Sequence, residues 1–222
     1  MENLKKLQLE KRKYQAVFIE KDKIWNERKK QTINRLVVGL PSLGCWWARE
    51  CGGCTMCGFF EKSTRGEEVP AKDIIEICDK EIERSRDFKP ELLTIYNGGS
   101  FLNPGEISEK AQTEIAKKVG KTPFIKKLFI ESRPEFVTEK RVKDLKKNLK
   151  GKDLEIGIGL ECATDYIREI YVRKGFSREV FEKAVLTAKE NGAKILTYIL
   201  VKPPFLSEKE AIDEAIKSIE YA

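Results

Sequence analysis

Five short apolar runs, each closed by a polar or glycine-rich segment and followed by an amphipathic stretch, limit how this chain can fold more than any other feature. The runs cover residues 36–40, 92–96, 127–130, 154–160 and 194–201. They end, in order, at Pro41, Asn97-Gly98-Gly99, Glu131-Ser132-Arg133-Pro134, Glu161-Cys162 and Lys202-Pro203-Pro204. Helical patterns fall over 71–86, 105–119, 138–149, 165–171 with 177–191, and 208–221. Short buried strands alternating with helices predict consecutive βα units and a parallel α/β sheet. A doubly wound open sheet or a full or partial barrel accommodates such units, and in both the ligands gather at the C-terminal ends of the strands. The polar segments all follow strands, so they converge on one rim. The last helical pattern runs to Ala222 with no strand after it, which predicts a fragment ending after the fifth β/α unit.

The segment after the first run carries the main chemical signal. Four of the six cysteines, Cys45, Cys51, Cys54 and Cys57, fall within thirteen residues, and Cys78 and Cys162 stand apart. Thiols this close hold a soft metal, pair as disulfides or do redox work. No apolar signal segment opens the chain and no apolar stretch reaches membrane-spanning length, so a reducing cytoplasm is expected and structural disulfides are not. The chain contains no histidine. That excludes two-Cys, two-His zinc fingers, histidine-based zinc hydrolases and Ser-His-Asp triads. An all-thiolate zinc or iron-sulfur site remains. Four-thiolate zinc sites use two Cys pairs with a spacer, whereas Cys51, Cys54 and Cys57 recur at every third residue, which would crowd a zinc ion. A cluster held by three thiolates suits the loop better. Its open iron would chelate a ligand with an amino and a carboxylate group, Gly52, Gly53 and Gly58 would let backbone amides approach the sulfides, and Trp46, Trp47, Met56, Phe59 and Phe60 would exclude water.

Charge is uneven along the chain. Residues 1–35 carry eleven Lys and Arg against five Asp and Glu, which accounts for most of the formal +7. The sequence predicts a basic helical extension over 1–32, either a solvated surface or a surface for nucleic-acid phosphates, followed by the βα domain over 33–222.

The order and spacing of these segments resemble the radical S-adenosylmethionine (SAM) enzymes, over about residues 33–222. Cys54-Thr55-Met56-Cys57 matches the end of that family's cysteine motif. Its first cysteine corresponds to Cys45 or Cys51, and Cys45 is favoured because it follows the strand directly after Gly44 while only two residues separate Cys51 from Cys54. Asn97-Gly98-Gly99-Ser100-Phe101, Glu131-Ser132-Arg133-Pro134-Glu135, Gly157-Ile158-Gly159-Leu160-Glu161 and Arg173-Lys174-Gly175 are similar to the strand-end motifs of the branch related to the elongator catalytic subunit.

The resemblance implies a partial (β/α)6 TIM-like barrel and a [4Fe-4S] cluster on Cys45, Cys54 and Cys57. It implies cleavage of SAM to a 5'-deoxyadenosyl radical, with the cofactor bound by Asn97, Gly98, Gly99, Ser100, Glu131, Ser132, Arg133 and Glu161. The glycines would hold its amino end, and Glu131, Ser132 and Arg133 its ribose or carboxylate. Gly-Cys-Trp-Trp-Ala-Arg before Gly-Gly-Cys-Thr-Met-Cys-Gly-Phe is most similar to the archaeosine-forming group. Those members act on a lysine-bearing 7-deazaguanine in tRNA, as a subunit of a tRNA-modifying complex and with no membrane association, and break a carbon-nitrogen bond of the lysine. Lys202 is a substrate-side candidate.

Overall fold

Alternation along the strands sorts their side chains onto two faces of one sheet. The structure is a computed structural model and describes residues 14–27 and 29–222. Six strands, β1 (Phe18–Asn26), β2 (Gln31–Gly39), β3 (Leu92–Tyr96), β4 (Lys127–Glu131), β5 (Asp153–Glu161) and β6 (Lys194–Ile199), lie side by side in chain order. β2 to β6 run parallel, and β1 pairs antiparallel with β2. A strand order with no reversal excludes the doubly wound sheet, which reverses at a switch point. The helices are α1 (Trp46–Cys51), α2 (Ala71–Arg84), α3 (Glu109–Lys121), α4 (Glu139–Leu149), α5 (Arg178–Glu190) and α6 (Glu208–Tyr221). Among the described residues no helix is long and apolar enough to cross a membrane.

One face of the sheet is the core. Leu36 and Val38 of β2, Leu93 and Ile95 of β3, Leu128 and Ile130 of β4, and Leu154, Ile156 and Ile158 of β5 pack against Ile74, Ile77 and Ile82 of α2, Ile115 and Val119 of α3, Val142 and Leu145 of α4, and Phe181 of α5. The other face takes the intervening residues. There Ile33, Leu92 and Phe129 form a small cluster with Ile24, Tyr96 and Tyr198, and β5 contributes glycine where a side chain would fill the space. A Cβ on Gly157 would lie 2.7 Å from Phe129 Cζ and 3.0 Å from Tyr198 Cε2. The helices cover one face, and this second face is left concave.

The structure corrects the expected helix near the N-terminus. Residues 18–26 form β1, paired along its whole length with β2 from Phe18 opposite Gly39 to Asn26 opposite Gln31. Residues 1–13 of the basic segment lie outside the described residues. Most of β1 is exposed, so it is held by ladder hydrogen bonds and by Arg35, whose Nε and Nη2 reach the Asp22 carboxylate at 2.9 and 2.5 Å. The helix expected from residue 105 begins at Glu109 instead, after Ser108, whose side chain accepts the Ala111 N–H. The intervening residues belong to the rim.

Gly157→Ala places a methyl group between two rings that cannot both retreat, and overpacking of this kind costs about 1–3 kcal/mol. A urea titration is expected to show a lower midpoint with an unchanged slope.

Candidate functional site at the C-terminal rim

A cavity of about 580 Å³ opens on the concave face at the strand ends. Cys45, Cys54 and Cys57 line it, together with Asn97, Gly98, Gly99, Glu131, Ser132, Arg133 and Glu161. Of the eleven site residues expected from sequence, only Ser100 is not in its wall. Cys51 is not in it either. Cys78 and Cys162 are fully buried away from it, and burial pushes both thiols up to about 12. Lys202 pairs with Glu208 and also lies outside the wall.

The loop reaches this position through local geometry. The Cys45 carbonyl accepts the N–H groups of Ala48 and Arg49, both at 3.1 Å, and so starts the short helix α1. Gly52 ends α1 in the left-handed conformation. A turn then closes from the Cys57 N–H to the Cys54 carbonyl at 3.1 Å and brings that pair back to the cavity. Cys51, the last residue of α1, is held from outside, since its carbonyl accepts from Arg173 Nη2 at 3.1 Å. Burial raises the Cys45 and Cys54 thiols above the usual range, and the Arg133 charge pulls both back. Lys174 is the larger opposing charge at Cys54.

A segment more than a hundred residues away anchors the loop. Trp47 Nε1 donates to the Arg173 carbonyl at 2.8 Å, Thr55 N–H to Val172 at 3.0 Å, and Thr55 Oγ1 to Tyr171 at 2.5 Å. A Cβ on Gly175 would fall within the Trp47 ring, and its φ of +68° is one that other residues rarely adopt. This segment follows a π-helical turn, Ile167–Tyr171, pinned by the fully buried Arg168. Arg168 donates to the carbonyls of Phe176, Cys162 and Ala163 at 3.1, 3.3 and 3.4 Å and pairs with Asp165 at 2.5 Å.

Arg133 lies at the centre of the seam. Its guanidinium lies 5.2 Å from the Trp47 ring, 5.4 Å from Phe176 and 5.8 Å from Trp46, and Nε donates to Glu135 at 2.5 Å. Its backbone N–H donates to Ser100 Oγ at 3.1 Å, which ties the second and third strand-end segments together. Ser132 Oγ donates locally, to the Arg133 carbonyl. Glu161 pairs with Lys174 at 3.1 Å, with both side chains about nine-tenths buried. Its φ of +66° and the Cys162 N–H to Leu160 carbonyl bond at 2.9 Å mark a strained γ-turn at the end of β5. Tyr198 lies beside both Glu131 and Tyr96. Burial raises the Glu131 carboxyl and both phenols.

One polar group in the wall lacks a partner. Asn97 is 3% exposed, and neither its side-chain oxygen nor its nitrogen has a hydrogen-bond partner among the described residues. A buried amide left this way costs free energy until a ligand or water meets it. Among the described residues no three Cys, Asp or Glu side chains gather closely enough to hold a single metal ion, so the three thiols along one wall, with the glycines and the unsatisfied amide, suit an iron-sulfur cluster, whose ligands sit on separate irons, with a polar ligand beside it. Tyr96 and Tyr198 also line this wall without having been singled out from sequence, and Lys174 joins them from the Arg173-Lys174-Gly175 motif.

The model of the radical SAM superfamily matches residues 41–216. The chain belongs to that superfamily. Its members use a [4Fe-4S] cluster and SAM. The chain is 35% identical over 187 residues to archaeosine synthase subunit beta of Methanosarcina acetivorans, covering 84% of this chain and 54% of that protein. It is 32% identical to archaeosine synthase subunit beta of Thermococcus kodakarensis, covering 83% and 57%. The chain thus spans about half the length of these curated relatives. Among solved structures, the cobalamin-dependent radical SAM enzyme OxsB shares the fold at a TM-score of 0.58 and 17% identity, over 84% of this chain and 26% of that one.

Gly175→Ala forces a strained φ and a collision with Trp47. We expect a loss of about 1–3 kcal/mol and altered tryptophan emission, both read from a denaturant titration followed by fluorescence.

Proposed function

We propose that Cys45, Cys54 and Cys57 hold a [4Fe-4S] cluster at the rim of a partial (β/α)6 barrel, and that the rest of the cavity binds SAM. One observation carries this reading: those three thiols share a wall with the strand-end motifs, while Cys51 does not line it and has its carbonyl bonded to Arg173. Bound together and reduced, the cluster and SAM supply a 5'-deoxyadenosyl radical.

The chain's own residues bind, orient and exclude water. Asn97 offers an unsatisfied buried amide, and Gly98 and Gly99 line the cavity, with the backbone at Gly98 left open for a polar amino-acid moiety to approach. Ser100 acts from behind the wall by orienting Arg133 through its backbone. Glu131, Ser132 and Glu161 provide oxygens along the cavity for ribose and carboxylate recognition, with Arg133 and Lys174 as the balancing cations. Phe59, Met56 and Phe18 flank the opening with apolar surface.

The substrate we propose is tRNA carrying a lysine-modified 7-deazaguanine. The reaction is carbon-nitrogen bond cleavage that leaves archaeosine, carried out as one subunit of a tRNA-modifying complex. Similarity to two proteins named archaeosine synthase subunit beta supports this, and so does the basic character of residues 1–35, which suits phosphate contacts. The test is anaerobic reconstitution with iron and sulfide, reduction, addition of SAM and chromatography for 5'-deoxyadenosine. A brown protein that forms 5'-deoxyadenosine is expected. A colourless protein with one bound zinc, or a brown one whose spectrum ignores SAM, would overturn the reading.

A further inference from the structure

Glu106 is a buried carboxylate, 4% exposed, in the rim segment between β3 and α3. Burying a carboxylate is costly unless hydrogen bonds meet its charge. Here they come from two separate loops. Glu106 Oε1 accepts the Trp46 N–H at 3.0 Å, and Oε2 accepts the Ser100 N–H at 2.6 Å. Asn103 Nδ2 adds a third bond at 3.0 Å, and Asn103 Oδ1 is itself oriented by the Gly105 N–H at 3.0 Å. Trp46 directly follows Cys45, and Ser100 directly follows Gly99. One side chain therefore joins the start of the cysteine loop to the end of the glycine motif.

Gly99 has a matching explanation. A Cβ there would fall inside the Glu106 carboxylate and 3.1 Å from Cys45 Cα. The room left by this glycine is taken up by the carboxylate and by the close approach of the two loops. Gly98, by contrast, has nothing nearer to its Cβ position than 3.7 Å. The two glycines of the motif thus do different work: Gly98 leaves backbone open to the cavity, and Gly99 lets the loops be joined.

We propose that Glu106 is a positioning residue, a carboxylate brace that fixes Cys45 relative to the Gly98-Gly99-Ser100 loop and places its negative charge beside the first thiolate. This rests on the ligand and cofactor assignment above. Two consequences separate it from a merely structural role. Losing the brace weakens SAM binding, because the loop carrying the first ligand is no longer fixed against the loop that receives the cofactor. Neutralising the charge makes the cluster easier to reduce, because a negative charge in a poorly solvated site opposes the added electron.

The test compares wild-type protein with Glu106→Gln and Glu106→Asp. In iron-free protein, residue-resolved amide exchange is expected to quicken about tenfold in Glu106→Gln at whichever of Trp46 and Ser100 faces the new amide nitrogen, with the Ile95 amide of β3 unchanged. Unchanged protection at both amides would overturn the proposal. In reconstituted protein, Glu106→Gln is expected to keep wild-type iron, bind SAM about tenfold more weakly and show a higher reduction potential. Glu106→Asp is expected to restore the potential but not the affinity. Wild-type affinity and potential in Glu106→Gln would also overturn it. If wild-type protein itself takes up no iron, the cluster assignment fails, and the exchange measurement alone decides whether Glu106 is a brace.

Discussion

The seam between the cysteine loop and residues 171–175 determines whether there is a site at all. Three thiols spaced as Cys45, Cys54 and Cys57 can point anywhere in an isolated loop, and α1 is too short to hold its shape without outside contacts. The shape comes from Trp47 and Thr55 bonding the backbone of Tyr171, Val172 and Arg173, more than a hundred residues further along. Gly175 lets the indole lie against the chain, and Arg168 holds the anchoring segment to the end of β5. Cys51 lies outside the cavity wall, and its carbonyl accepts from the guanidinium of Arg173 in the same segment.

The sheet makes this possible by being apolar on one face and unfilled on the other. Helices α2 to α5 pack on the first face, so the strand ends and the second face are left to a ligand. Charges there are balanced within the protein: Glu161 by Lys174, Arg133 by Glu135, and Glu106 by backbone amides. Trp46 Nε1, Arg49 Nε and Glu135 Oε2 also lack partners among the described residues, but Asn97 is the unsatisfied group in the cavity wall, and such a group is where a ligand is expected to make its contact.

Features set by local periodicity were legible in the sequence. Residues 92–96 and 208–221 form a strand and a helix with the expected bounds, because apolar alternation and the Ser207 cap act over a few residues. β1 was not legible. Its side chains are mostly exposed, so it has little apolar alternation, and pairing with β2 makes it a strand. Glu106 was concealed by the helical pattern that continues backwards from α3; the turn residues Asn103, Pro104 and Gly105 were the available sign that the helix starts later. Lys174 lay within a quoted motif, but its partnership with Glu161 depends on the strained turn at the end of β5. The cysteines stood out by composition, Cys45 is favoured by its place after the first apolar run, and the cavity wall, which includes Cys45 and not Cys51, agrees with that preference.

Iron content shows which thiols hold the cluster. After identical anaerobic reconstitution, Cys51→Ala is expected to carry the wild-type four irons and four sulfides per chain, while Cys45→Ala, Cys54→Ala and Cys57→Ala each lose the cluster. A Cys45→Ala protein that keeps its iron, beside a Cys51→Ala protein that loses it, would contradict the account.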